Sequence, residues 1–68
     1  MKAGQEVCWT WGSGAARGTV REVHPNSVIR TIKGAEVTRH GTPDDPALLI
    51  EQADGDRVLK LASEVEPR

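Results

Sequence analysis

The sequence predicts an all-β fold, five or six short antiparallel strands curled into a small barrel. Three observations point there. Seven Gly and four Pro in 68 residues cut the chain every few positions, and the segments between them are short and rich in Val, Ile, Thr and Trp. Val7-Cys8-Trp9-Thr10-Trp11 alternates large apolar residues with small or polar ones, the period of a half-buried strand. A chain of this length buries only about 60% of its unfolded surface. It cannot build two full sheets, but it can bend one set of strands until closure removes the exposed edges around a single interior layer.

The first strand is Glu6 to Trp11, with Val7, Trp9 and Trp11 on one face. The two Trp are the only aromatics, with no Phe or Tyr. Each aromatic buries roughly 150–250 Å², so both are assigned to the core, which leaves no ring for an aromatic binding pocket. Gly12-Ser13-Gly14 breaks the strand. Arg17 to Val23 is the second, with Gly18 marking a bulge or a close backbone approach. His24-Pro25-Asn26-Ser27 is a turn, because Pro25 fixes φ and donates no N–H.

Val28 to Ile32 is the third strand, with Val28, Arg30 and Ile32 on one face. Lys33-Gly34 interrupts it, and Glu36 to Thr38 continues as a short extended piece. Gly41 to Pro46 is a polar loop whose two prolines oppose a helix. Ala47 to Gln52 and Arg57 to Leu61 are the last strands. They are joined through Asp54-Gly55, read as a type I′ hairpin in which both central residues take φ > 0. Leu61 to Val65 is either a helical turn or a strand, since periodicity cannot decide over so few residues. The chain is read as one domain over residues 1–68. Its expected core is Val7, Trp9, Trp11, Val20, Ile32, Leu48, Ile50, Leu59 and Leu61, with Val28, Ile29 and Val58 at its margin.

Charge is uneven although the net is −1. Arg17, Arg21, Arg30, Lys33 and Arg39 against Glu22 and Glu36 make residues 17–40 basic. Asp44, Asp45, Glu51, Asp54 and Asp56, with no Lys or Arg, make residues 41–56 acidic. Either the blocks pair across strands as surface ion pairs, or the basic one forms a partner-binding face. Lone Cys8 permits no internal disulfide, which suits a reducing compartment. The N-terminal residues lack the apolar run of a signal peptide, and no stretch approaches the ~20 apolar residues of a membrane span. The expected location is cytoplasmic.

No cofactor or metal is expected. Cys8, His24 and His40 are isolated potential ligands without metal-site spacing. Ser13, Ser27 and Ser63 sit in no nucleophile motif, so the chain is read as non-catalytic.

Several segments in order resemble one family. They are Val7 through Gly14 (Val-Cys-Trp-Thr-Trp-Gly-Ser-Gly), Gly18-Thr19-Val20, Arg30 through Arg39, Asp44-Asp45-Pro46-Ala47, Leu49-Ile50-Glu51 and Asp54 through Lys60. Together these look like the hypervirulence-associated protein TUDOR-domain family of bacteria and fungi, over about Gly4 to Val65. The resemblance implies an SH3-like, Tudor-type barrel; it brings no catalytic residue or ligand set. A Tudor-like fold suggests an aromatic cage for a methylated cation, but such a cage needs three or four rings, and this chain holds two. The expected role is a small binding or adaptor module for protein or nucleic acid, working through Arg17, Arg30, Lys33 and Arg39 with Thr38 and His40 beside them. The alternative is an assembly role through strand edges, with monomer or homodimer left open.

Overall fold

A computed structural model describes all 68 residues. The elements are β1 (Glu6–Trp11), β2 (Gly14–His24), β3 (Ser27–Ile32), β4 (Ala35–His40), β5 (Ala47–Gln52), β6 (Arg57–Leu61), a 3-10 turn (Ala62–Glu64) and β7 (Glu66–Pro67). Every strand pair is antiparallel. Hydrogen bonding forms a five-stranded sheet, β6-β5-β2-β1-β7, and a separate two-stranded sheet, β3-β4. The 3-10 turn carries the chain from β6, at one edge of the large sheet, to β7 at the other. Within Leu61 to Val65 the chain thus takes the helical turn, and the short strand follows at Glu66–Pro67.

β2 begins at Gly14, earlier than its sequence pattern suggests, because only Gly12-Ser13 form the loop. Trp11 pairs directly with Gly14. Gly18 is a close approach: a Cβ there would lie 2.6 Å from the Ile50 side chain and 2.7 Å from the Glu51 carbonyl oxygen. The bulge falls instead at Arg21, where the register with β5 shifts between Val20 and Glu22. The I′-type signature of two successive positive φ values belongs to Lys33 (52°) and Gly34 (79°), which join β3 to β4. At the β5–β6 connection only Gly55 has positive φ, 90°. The Gly55 N–H bonds the Gln52 carbonyl, so Asp54-Gly55 is part of a longer loop and not a type I′ hairpin.

The interior has two layers, where one was expected, and β5 divides them. Leu48 and Ile50 point into a cluster with Val7, Trp9, Val20 and Val65. Ala47 and Leu49 point the opposite way, into a cluster with Val28 and Leu59. A strand covered on both faces reads as a continuous apolar run, which is why Ala47-Leu48-Leu49-Ile50 does not alternate. Val28 is buried; Ile32 and Leu61 are half-buried around the second cluster, and Val58 around the first.

Trp11 corrects the sequence reading: it is 62% exposed, against 7% for Trp9. It keeps the face that alternation assigns it, but β1 runs past the end of the core into the hairpin tip. There the indole lies beside Gly14, contacting the space where that residue's side chain would be. Ile29 is also exposed, on the outer face of the β3–β4 hairpin.

Candidate binding surfaces

Cross-strand register sorts the six expected partner-contact residues. On the β3–β4 hairpin, Val28, Arg30, Val37 and Arg39 share the inward side, while Ser27, Ile29, Thr38 and His40 share the outward side. The two arginines therefore reach toward the large sheet. Arg30 donates to Glu22 at 2.6 Å, and His24 donates to the same carboxylate at 2.8 Å. Arg39 pairs with Glu64 beyond the end of β6. Lys33, in the hairpin turn, pairs with Asp56 at 2.8 Å. Thr38 is exposed, and the His40 ring shares a 2.8 Å hydrogen bond with the Ser27 hydroxyl. Arg30, Lys33 and Arg39 thus join the hairpin to the large sheet; they do not form one free cationic face.

Glu22 and Glu64 carry the electrostatic signature of this arrangement. Hydrogen bonds from His24 and then Arg30 hold the Glu22 carboxyl below its ordinary pKa. For Glu64 the backbone N–H of Leu61 is the largest influence, followed by Arg39, and the direction is again downward. Depressed folded-state values mean stability that is present above the unfolded carboxylate pKa and lost as pH falls through the folded ones. Stability should therefore fall in the acid range below about 4.5. Glu22→Gln should lower it near neutrality and flatten that acid limb. Both carboxylates are more than a third exposed, so the loss is at most about 1 kcal/mol each. Urea titrations near neutral pH and near pH 3 check this; an unchanged acid limb in Glu22→Gln would contradict it.

Arg17 behaves differently. It is exposed on β2 and forms no ion pair. Spacing of two residues sets Arg17, Thr19 and Arg21 on one side of the strand. They line a groove of about 410 Å³ with Arg68, Glu6 and Glu51. Arg21 bonds Glu51 at 3.0 Å, and Arg68 lies 3.6 Å from Glu6. Arg68 reaches this groove because β7 returns alongside β1, which no local sequence signal announces.

The acidic loop is used internally. Asp45 accepts bonds from the Ser63 N–H (2.8 Å) and hydroxyl (2.7 Å), tying the loop to the 3-10 turn. No group of three or more His, Cys, Asp and Glu is placed to hold a metal ion, and no helix is long and apolar enough to cross a membrane.

Two antiparallel sheets of short strands, with an apolar interior and charged groups confined to the exterior, suit a Tudor-type module. The sequence profile described as the hypervirulence associated proteins TUDOR domain matches residues 4–65. The chain belongs to this family. That match spans β1 through the 3-10 turn and includes every strand of both sheets except β7. No curated protein and no solved structure gives a significant match.

Proposed function

We propose that this member of the TUDOR-domain family is a small non-catalytic binding module with an SH3-like, barrel-type architecture, whose partner docks on the charged exterior. The observation that carries the reading is the groove at Arg17. There an uncompensated guanidinium stands with those of Arg21 and Arg68 beside the Thr19 side chain. The family supports a binding role. The absence of any polar or charged side chain from the buried core leaves recognition to the surface.

Of protein and nucleic acid, the second suits the groove better, because phosphate contacts ask only for positioned charge. Arg30, Lys33 and Arg39 do not line this groove and contribute through the general potential and not by direct contact, whereas Arg21 and Arg68 would exchange Glu51 and Glu6 for phosphate. Titration of a mixed-sequence single-stranded oligonucleotide should give affinity that weakens with salt. Three phosphate contacts at about 0.7 each predict a log–log slope near −2. Arg17→Ala should bring that slope toward −1.4, one contact fewer. No binding even at low ionic strength rejects the nucleic-acid reading, and an acidic protein surface is then the partner to test.

The second reading is assembly between copies. It is favoured by the β3–β4 hairpin, whose strands hydrogen-bond only to each other. A monomer mass that does not change with concentration in light scattering rejects it.

A further inference from the structure

β1 has a free edge over its last residues, which lies outside the Arg17 groove. Along an antiparallel strand, successive residues direct their N–H and C=O to opposite neighbours. Gln5 accepts from the Val20 N–H, so odd-numbered residues face β2. Glu6 accepts from the Arg68 N–H, so even-numbered residues face β7. The β1–β2 register is unbroken to the Trp11–Gly14 pair, which keeps this parity along β1. β7 pairs only with Val7 and Cys8. The N–H and C=O of Thr10 therefore point to an edge with no strand on it.

The chain itself creates this opening. Upstream of β7 the next antiparallel position would face Thr10, but the 3-10 turn carries those residues away. Between the departing segment and β1 lies a groove of about 240 Å³, lined by Cys8, Thr10, Ser63, Glu64 and Glu66 among others. The side of β1 opposite the groove holds the exposed indole of Trp11.

We propose that this edge receives an extended segment of a partner protein as an added strand, with a Lys or Arg opposite Thr10 and apolar residues on either side. Main-chain bonds to Thr10 would supply the pairing, and alternate side chains the selectivity. A side chain opposite Thr10 falls on the groove side. There Glu66 has no cation partner, and Glu64 is paired with Arg39, with Lys60 acting on it from further off. A side chain opposite Trp11 falls on the other side, against a ring that is otherwise in water. Charge also selects against a second copy. Self-pairing about Thr10 would place Thr opposite Thr, offer no base to the groove, and bring the Glu64–Glu66 segments of both chains toward one another.

The probe is a capped Val-Lys-Val-Lys-Val peptide, with Val-Glu-Val-Glu-Val as control. In the free protein the Thr10 amide should exchange rapidly although it lies within a strand. Saturating lysine peptide should slow that exchange by about tenfold or more, as formation of a ladder bond requires. The glutamate peptide should not. Thr10→Pro removes the outward N–H at an edge position where proline is tolerated, and should abolish the shifts that the lysine peptide otherwise causes in the Cys8 and Trp11 amide resonances. Glu66→Lys, a charge change on an exposed side chain, should reverse the preference between the two peptides. The proposal is overturned if the lysine peptide leaves Thr10 exchange unchanged, or if Glu66→Lys leaves the preference unaltered. It is also overturned if Thr10 protection rises with protein concentration alone, which would mean that the edge pairs with a second copy. Perturbation confined to the Arg17 groove would reject this site while leaving the proposed exterior recognition standing.

Discussion

Trp9→Ala is expected to abolish most of the folded population, whereas Trp11→Ala should leave the melting temperature within a few degrees of the parent. Alternation places both indoles on one face of β1, and the structure separates them by burial. Trp9 packs with Val7, Val20, Leu48, Ile50 and Val65, while Trp11 stands beyond that cluster at the hairpin tip. Truncating a buried Trp costs roughly 3–5 kcal/mol. A domain of this size has about 3–10 kcal/mol in total, so that loss consumes a large share or all of it. Trp11, already 62% exposed, gives up much less buried surface, its ring lying against Gly14 at the hairpin tip. Because 1 kcal/mol shifts the melting temperature by about 4–8 °C in small domains, the two variants separate in a thermal melt. Acrylamide quenching gives a second readout. Trp11→Phe should leave a blue-shifted, poorly quenched emission from Trp9, and Trp9→Phe, if it folds, a red-shifted and readily quenched one from Trp11. Equal destabilisation by both alanine variants would return Trp11 to the core and remove the apolar flank of the proposed β1 edge site.

Strand positions were legible because they depend on local punctuation and period. Glu6–Trp11, Ala47–Gln52 and Arg57–Leu61 lie where the apolar runs and Gly or Pro place them. The misreadings share one cause: period assigns a face, but only tertiary placement says whether anything covers that face. Trp11 lies on the core side of β1 where the core has already ended. Leu49, which alternation assigns to solvent, lies under the β3–β4 hairpin with Leu59 and Val28. Turn type was decided by loop length and not by residue identity. Lys33-Gly34 takes the two-residue geometry, and Asp54-Gly55 sits within a four-residue loop. The charge blocks were visible, and so was the option that they pair with one another. Which basic residues would stay free was not. That outcome depends on the register that turns Arg30 and Arg39 inward and on the return of β7 that brings Arg68 near Arg17.

Gly41→Ala should lower stability by about 1–3 kcal/mol through overpacking, a fall of roughly 4–24 °C in melting temperature at the sensitivity of a small domain. The reason is steric, because Gly41 does not lie in the left-handed region. Its N–H bonds the Asn26 carbonyl at 3.2 Å. A Cβ would stand 2.5 Å from the Ala47 backbone nitrogen, 2.5 Å from the His24 carbonyl oxygen and 3.1 Å from that of Asn26. All three neighbours are backbone, so no side-chain rotation relieves the clash. The end of β2, the following turn and the start of β5 would have to separate. His24 and Ala47 are themselves paired in the ladder, so separation would open that end of the sheet and loosen the Glu22–His24–Arg30 contact beside it. Gly34→Ala isolates the other way in which glycine matters. Open space surrounds that position, but its φ of 79° is costly for any residue with a side chain. Its damage should stay within the β3–β4 hairpin, visible as faster amide exchange there and not at the β2–β5 ladder. Gly41→Ala should speed exchange at both ends of that ladder's first pairs, His24–Ala47 and Val23–Leu48. An unchanged melt for Gly41→Ala would mean that these three backbone segments are not held together, and that the two sheets depend on the ion pairs of the hairpin for their alignment.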